Sequence, residues 1–219
     1  MVDITRREVE AKLASVGDYV KMDFLQQCLK KQTDFDTKKF VLNTLADIYV
    51  QKKMFVEAAR LMRVSADINT SFGAKIEDYM KSADLYIKSG AFAEADMSLM
   101  KALAEATPKQ KSDLKIRHKN NYKSWADELL AKDKRKNAMD AYAKFLTLPE
   151  AAAHEKYDAQ LKLVKLYERL GKITEFSNLR KSMPTHAPAA PAAPPRKIEI
   201  TAMSLNEKKR GFFSKIFGL

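Results

Sequence analysis

Three aspartates, Asp47, Asp84 and Asp127, stand 37 and 43 residues apart, each two places before a large side chain (Tyr49, Tyr86 and Leu129). A row of carboxylates so spaced suits the reception of ammonium or guanidinium groups. The bland alternative is that each caps local backbone or pairs with a neighbouring lysine. The remaining inventory for chemistry is thin. His118, His154 and His186 sit in unrelated contexts, none close in sequence to another or to the lone Cys28, and each is expected on the surface. There is no phosphate-cradling glycine loop, no paired-cysteine zinc spacing and no nucleophile elbow. The pattern points to a chain that holds a partner rather than transforms a substrate: no enzyme, no cofactor, no metal.

Two cationic stretches are the other candidates. Residues 109–136 carry ten Lys and Arg against four carboxylates, a net +6. Lys132, Lys134, Arg135 and Lys136 form its densest part, an anion patch suited to the phosphates of RNA, DNA or lipid. Tyr122 and Trp125 are expected in the core, so base reading is not supported, and a solvated helical face is the alternative. The second stretch is SLNEKKRGFFSKIFGL. Phe212, Phe213, Ile216 and Phe217 share one broad helical face with Leu205 and Leu219, while Lys208, Arg210 and Lys215 flank it and Lys209 interrupts its first turn. Ser204 with Glu207 makes a capping-box signature, and Gly211 weakens the helix. Such a segment fits the interface of an anionic membrane first. Docking on a partner, or on this chain's own concave face, comes second. A packed terminal cap comes third.

The elements that position these residues are helices. In 219 residues there are six glycines and seven prolines, four of the prolines between Pro188 and Pro195, and 46% of residues are hydrophobic. Breakers are too scarce for sheets and turns, and the abundance of Ala, Leu, Lys and Glu suits helices. The net charge of +12 favours an anionic partner. A lone cysteine excludes an intramolecular disulfide and fits a reducing interior. MVDITRREVE lacks the apolar core of a signal peptide, and no apolar run reaches the ~20 residues of a membrane span. The expected setting is cytoplasmic, with a peripheral membrane contact as an option.

Tyr49, Tyr86 and Tyr167 each close a helix, with Leu13 and Leu129 in the same role, at spacings of 36, 37, 43 and 38 residues. Four residues after each comes a turn: Gly17, Lys53, Gly90, Asp133, Gly171. A helix C-terminus wants a left-handed residue there. Ala46, Ala83 and Ala126 stand three before the anchor, and Ala58, Ala95 and Ala138 nine after it, where small side chains let helices approach. In unit one Val9, Leu13 and Val16, then Val20, Phe24, Leu25 and Cys28, are expected inward. In the last unit the inward set is Leu161, Val164, Tyr167 and Leu170.

This punctuation resembles the tetratricopeptide repeat, a helix-turn-helix of 34 residues. The likeness covers about residues 3–183, strongest in the second and third units. The longer period is similar to that of the long-helix solenoids of the SNAP family, adaptors in vesicle fusion. The resemblance implies an all-α fold, a right-handed α-solenoid of about five helix-turn-helix repeats with first helices lining a concave groove for a peptide or helix. It places Asp47, Asp84 and Asp127 in that groove, with Asn43 and Lys123 one helical turn earlier in their units. Asn43 and Lys123 suit the family's chaperone-tail clamp, but the aspartates would repel a carboxylate, so a basic ligand is expected. The division is a repeat domain over 1–183, a flexible Pro/Ala-rich linker over 184–203 and a basic amphipathic helix over 204–219. The leading expectation is a protein-binding adaptor with a tethered membrane or second-partner contact. The alternative is a nucleic-acid-associated scaffold using the patch within 109–136.

Overall fold

In the computed structural model, which describes residues 4–184 with His186 and Pro188, the chain forms α1 (Arg6–Ala14), α2 (Asp18–Lys30), α3 (Phe35–Gln51), α4 (Phe55–Ile68), α5 (Phe72–Ser89), α6 (Phe92–Glu105), α7 (Pro108–Ala131), α8 (Arg135–Leu146), α9 (Ala153–Arg169) and α10 (Ile173–Ser182). No strand occurs among the described residues. From α2 onward each helix packs on its neighbours in the chain, most extensively α4 on α5 and α5 on α6, while α1 packs on α3. Packing that skips an element joins first helices, α1 to α3 and α5 to α7. Stacked hairpins that touch only near neighbours make an α-solenoid.

The repeat grammar has a backbone cause. The carbonyls of Tyr49, Tyr86, Leu129 and Tyr167 accept the N–H of Met54, Ala91, Lys134 and Lys172, at 2.8, 3.0, 2.9 and 2.9 Å. This six-to-one bond closes a Schellman motif and requires a left-handed residue just before the donor. Lys53, Gly90, Asp133 and Gly171 supply it, with φ of 60°, 83°, 53° and 68°. The small residues are explained as well: Ala46, Ala58, Ala83, Ala95, Ala126 and Ala138 are all buried, so a larger side chain there would push helices apart. Thr107 caps the long α7 through a reciprocal pair with Gln110, and Pro108 fills its first position.

Both terminal units depart from expectation. Gly17 is extended, φ −77° and ψ 164°, and serves as the N-cap of α2. The reason is that α1 stops at Ala14, where the Ser15 hydroxyl bonds back to the Lys12 carbonyl. Val20 is exposed, while Val9, Leu25 and Cys28 are buried. In α9 the buried set is Ala159, Leu163 and Leu166, whereas Leu161 and Leu170 face solvent. An end unit has a neighbour on one side only, so its apolar stripe is half used and its phase is poorly marked in sequence.

Candidate functional site

A cleft of about 300 Å³ lies between α1 and α3, lined by Arg6, Asp36, Lys39, Phe40 and Asn43. The Asn43 side-chain carbonyl is buried and has no hydrogen-bond partner among the described residues. A buried acceptor left without a partner costs roughly 1–3 kcal/mol. Arg6 lies over the Phe40 ring at 4.7 Å and reaches Glu10 at 2.8 Å. Lys39 turns to the next unit, donating to Asn69 Oδ1 at 2.9 Å and lying 4.0 Å from Asp78.

The three aspartates have unequal surroundings. Asp47 on α3 is exposed and has no ion-pair partner among the described residues. Asp84 on α5 is held by Lys88 one turn on, at 2.7 Å. Asp127 on α7 accepts from the Tyr142 hydroxyl and from Lys162 on α9, the latter at 2.5 Å. Lys123 lies 3.7 Å from Glu155, whose carboxylate also takes the buried Lys119 ammonium at 2.7 and 2.9 Å. Burial would lift the Glu155 carboxyl, but Lys119, the Ala152 N–H and Lys123 bring it below the usual range. An incoming basic group therefore meets one free carboxylate on this row and two that already hold lysines.

Tertiary contacts also consume much of the charge in 109–136. Lys115 reaches Glu150 at 3.5 Å, and Arg117 makes a two-pronged bond to Glu77 on α5 at 2.7 and 2.9 Å. Lys132 pairs with Glu128, and Arg135 with Asp133 at 2.7 and 3.1 Å. Lys134 and Lys136 remain exposed, without a carboxylate partner among the described residues. An exposed bridge of this kind is worth at most about 1 kcal/mol, so it lowers the patch's net charge more than it blocks a phosphate.

His118 overturns the expectation of a surface histidine. It is buried in α7, its Nε2 3.2 Å from Asp96 Oδ1 and its ring edge-on to Tyr122 with centroids 5.0 Å apart. Because a carboxylate only accepts, the proton sits on Nε2, and Nδ1 is left buried without a partner. Burial depresses its pKa, outweighing the opposite pull of Asp96. On Asp96, burial pushes upward but Lys144 at 2.5 Å and His118 prevail, so its pKa falls below the usual value. Burial and Asp96 together push the Tyr122 phenol far up, so it stays a neutral donor.

Sequence reasoning missed these polar nodes, although a signal exists. A tyrosine is followed 20 to 22 residues later by a lysine in Tyr79–Lys101, Tyr122–Lys144 and Tyr142–Lys162, each sharing one aspartate from the preceding helix. Asp78 is a further buried carboxylate, held by Ser65 and Asn69 at 2.9 Å each. Among the described residues no group of three or more His, Cys, Asp or Glu is placed to hold a metal ion. No described helix is long and apolar enough to cross a membrane. The cationic segment with Lys208, Lys209, Arg210, Phe212, Phe213, Lys215, Ile216 and Phe217 lies outside the described residues, as does most of the linker.

The class these features define is the all-α helical-repeat solenoid. No protein-family profile and no curated protein matches the chain. Among solved structures it is similar to the crystal structure of BtubC (BKLC) from P. vanneervenii, at 13% identity and a TM-score of 0.34, over 86% of this chain and 83% of that one. A likeness that slight assigns nothing further.

Proposed function

We propose that this chain is a non-enzymatic adaptor of the tetratricopeptide kind, whose inner face holds an extended segment of a protein partner and whose C-terminal amphipathic segment contacts a membrane or second partner. The observation that supports the groove reading is the open cleft between α1 and α3, lined by Arg6, Asp36, Lys39, Phe40 and Asn43, whose side-chain carbonyl has no partner among the described residues. A side-chain amide gives and takes one hydrogen bond at once, which matches the N–H and C=O of a peptide backbone. Arg6, Lys39 and Asp36 around it would meet charged side chains, and Phe40 an apolar one. The nucleic-acid alternative is weakened by the ion pairs that occupy Lys115, Arg117, Lys119, Lys123, Lys132 and Arg135.

The test is selection of a displayed peptide library on the full-length protein, followed by fluorescence polarisation of one enriched peptide. Asn43→Ala should weaken it about tenfold. Equal affinity for the variant, or no enriched peptide, sinks the reading. For the tail, co-sedimentation with anionic vesicles should fall in a chain truncated after Met183; undiminished binding removes the tail as anchor.

A further inference from the structure

A second cleft, of about 420 Å³, opens where the α5–α6 turn faces the α7–α8 hairpin. Its lining includes Phe92, Trp125, Leu129, Asn137, Asp140 and, at the turn, Gly90. It lies within the span of roughly 300–1,000 Å³ typical of ligand sites. The Phe92 ring is fixed edge-on against Tyr122, centroids 5.4 Å apart. Half-buried Trp125 forms no hydrogen bond or ring contact with a cation among the described residues. Asp140 is exposed and has no ion-pair partner among the described residues. The one cation in the lining, Lys88, has its charge matched by Asp84 at 2.7 Å.

An indole, a phenyl ring, an amide and an unmatched carboxylate together ask for a cation. We propose that this cleft holds an arginine side chain presented by a protein partner, its guanidinium stacked on Trp125 and its N–H fork on Asp140 and Asn137. Arginine fits better than lysine for a physical reason. Its charge is planar, delocalised and weakly hydrated, so it lies flat on an aromatic face while its edge still donates. A compact ammonium can lie over a ring and donate to one carboxylate, as Lys101 and Lys162 do in this chain, but it has no planar fork to span Asp140 and Asn137 and is dearer to desolvate. The cleft opens between units three and four at their turns, so the site stands apart from the Asn43 cleft and does not depend on it.

Trp125 is the chain's single tryptophan, so its emission reports occupancy directly. The experiment titrates full-length protein with acetyl-Ala-Arg-Ala-amide and with the same peptide carrying citrulline, which keeps the shape but lacks the charge. The arginine peptide should change Trp125 emission saturably, and the citrulline peptide should bind about tenfold more weakly. Asp140→Asn, a surface change that leaves the fold intact by circular dichroism, should weaken the arginine peptide by a similar factor. Equal binding of the citrulline peptide, unchanged affinity in Asp140→Asn, or no saturable change overturns the proposal. Success or failure here is independent of the peptide selection at Asn43.

Discussion

The Tyr122 hydroxyl on α7 stands 3.2 Å from Asp96 Oδ1 on α6, and Lys144 on α8 closes on the other oxygen at 2.5 Å. One carboxylate thus ties three successive helices. The arrangement recurs with Asp67, Tyr79 and Lys101 across α4, α5 and α6, at 2.5 and 3.2 Å. It recurs again with Asp127, Tyr142 and Lys162 across α7, α8 and α9. In the outer two the lysine also lies over the tyrosine ring, at 5.3 and 5.6 Å. Hairpins joined only to their neighbours need their stacking angle fixed at every step, and a shared carboxylate does this directionally where apolar packing does not.

Removing a hydroxyl isolates that contribution. Tyr122→Phe keeps the buried ring against Phe92 and His118 and loses only the hydroxyl's bonds to Asp96 Oδ1 and the Phe92 carbonyl, at 3.2 and 3.4 Å. Urea unfolding should show a loss of about 1 kcal/mol. A loss near zero would mean that the tyrosine contributes packing alone.

The largely buried pair of Lys119 and Glu155 joins α7 to the start of α9. Glu155→Ala strands the ammonium and should cost about 3 kcal/mol. Adding Lys119→Met should recover most of it, since a matched apolar substitution relieves the stranded charge. If the double variant is no better than the single one, the cost comes from the lost bond to the Ala152 N–H instead.

Acid should weaken the fold through His118. Its folded pKa lies below the ordinary 6.5 because the ring is buried, so the unfolded chain takes up the proton first as pH falls. The stabilising contribution is complete above about pH 6.5 and is lost progressively below it. Asp96 and Glu150 favour the charged ring, while burial and Lys144 oppose it. Urea unfolding at about pH 7.5 and 5.5 should show a smaller drop for His118→Phe than for the wild type; equal drops would place the acid sensitivity elsewhere.

The turns give a paired prediction of opposite sign. Gly90→Ala meets no atom but forces φ 83° on a residue with a Cβ, costing about 1 kcal/mol. Lys53→Gly relieves the same conformation at φ 60° and should add about 0.5 kcal/mol after the entropy of the freer unfolded chain. Thermal melts of both variants check the signs.

Local grammar made the hairpins legible. The left-handed turns at Lys53, Gly90, Asp133 and Gly171 and the alanines at the crossings are fixed by neighbours a few residues away, so periodicity alone determines them. Asn43 could be nominated from its repeat position, but its empty buried carbonyl was invisible. That depends on α1 arriving over α3. The tertiary structure decided the long-range ion pairs, whereas pairs one helical turn apart, such as Asp84 with Lys88 and Glu128 with Lys132, follow from local spacing. Asp127, Lys123 and Arg117 are single charges along the chain; only when α5, α7 and α9 stack do their partners come within bonding distance. His118 passed for a surface residue for the same reason. Its solvent is excluded by Asp96 and Tyr122, and Asp96 comes from a helix 22 residues upstream. A charge in sequence counts only itself, whereas a charge in a fold counts whatever lies within a few ångströms.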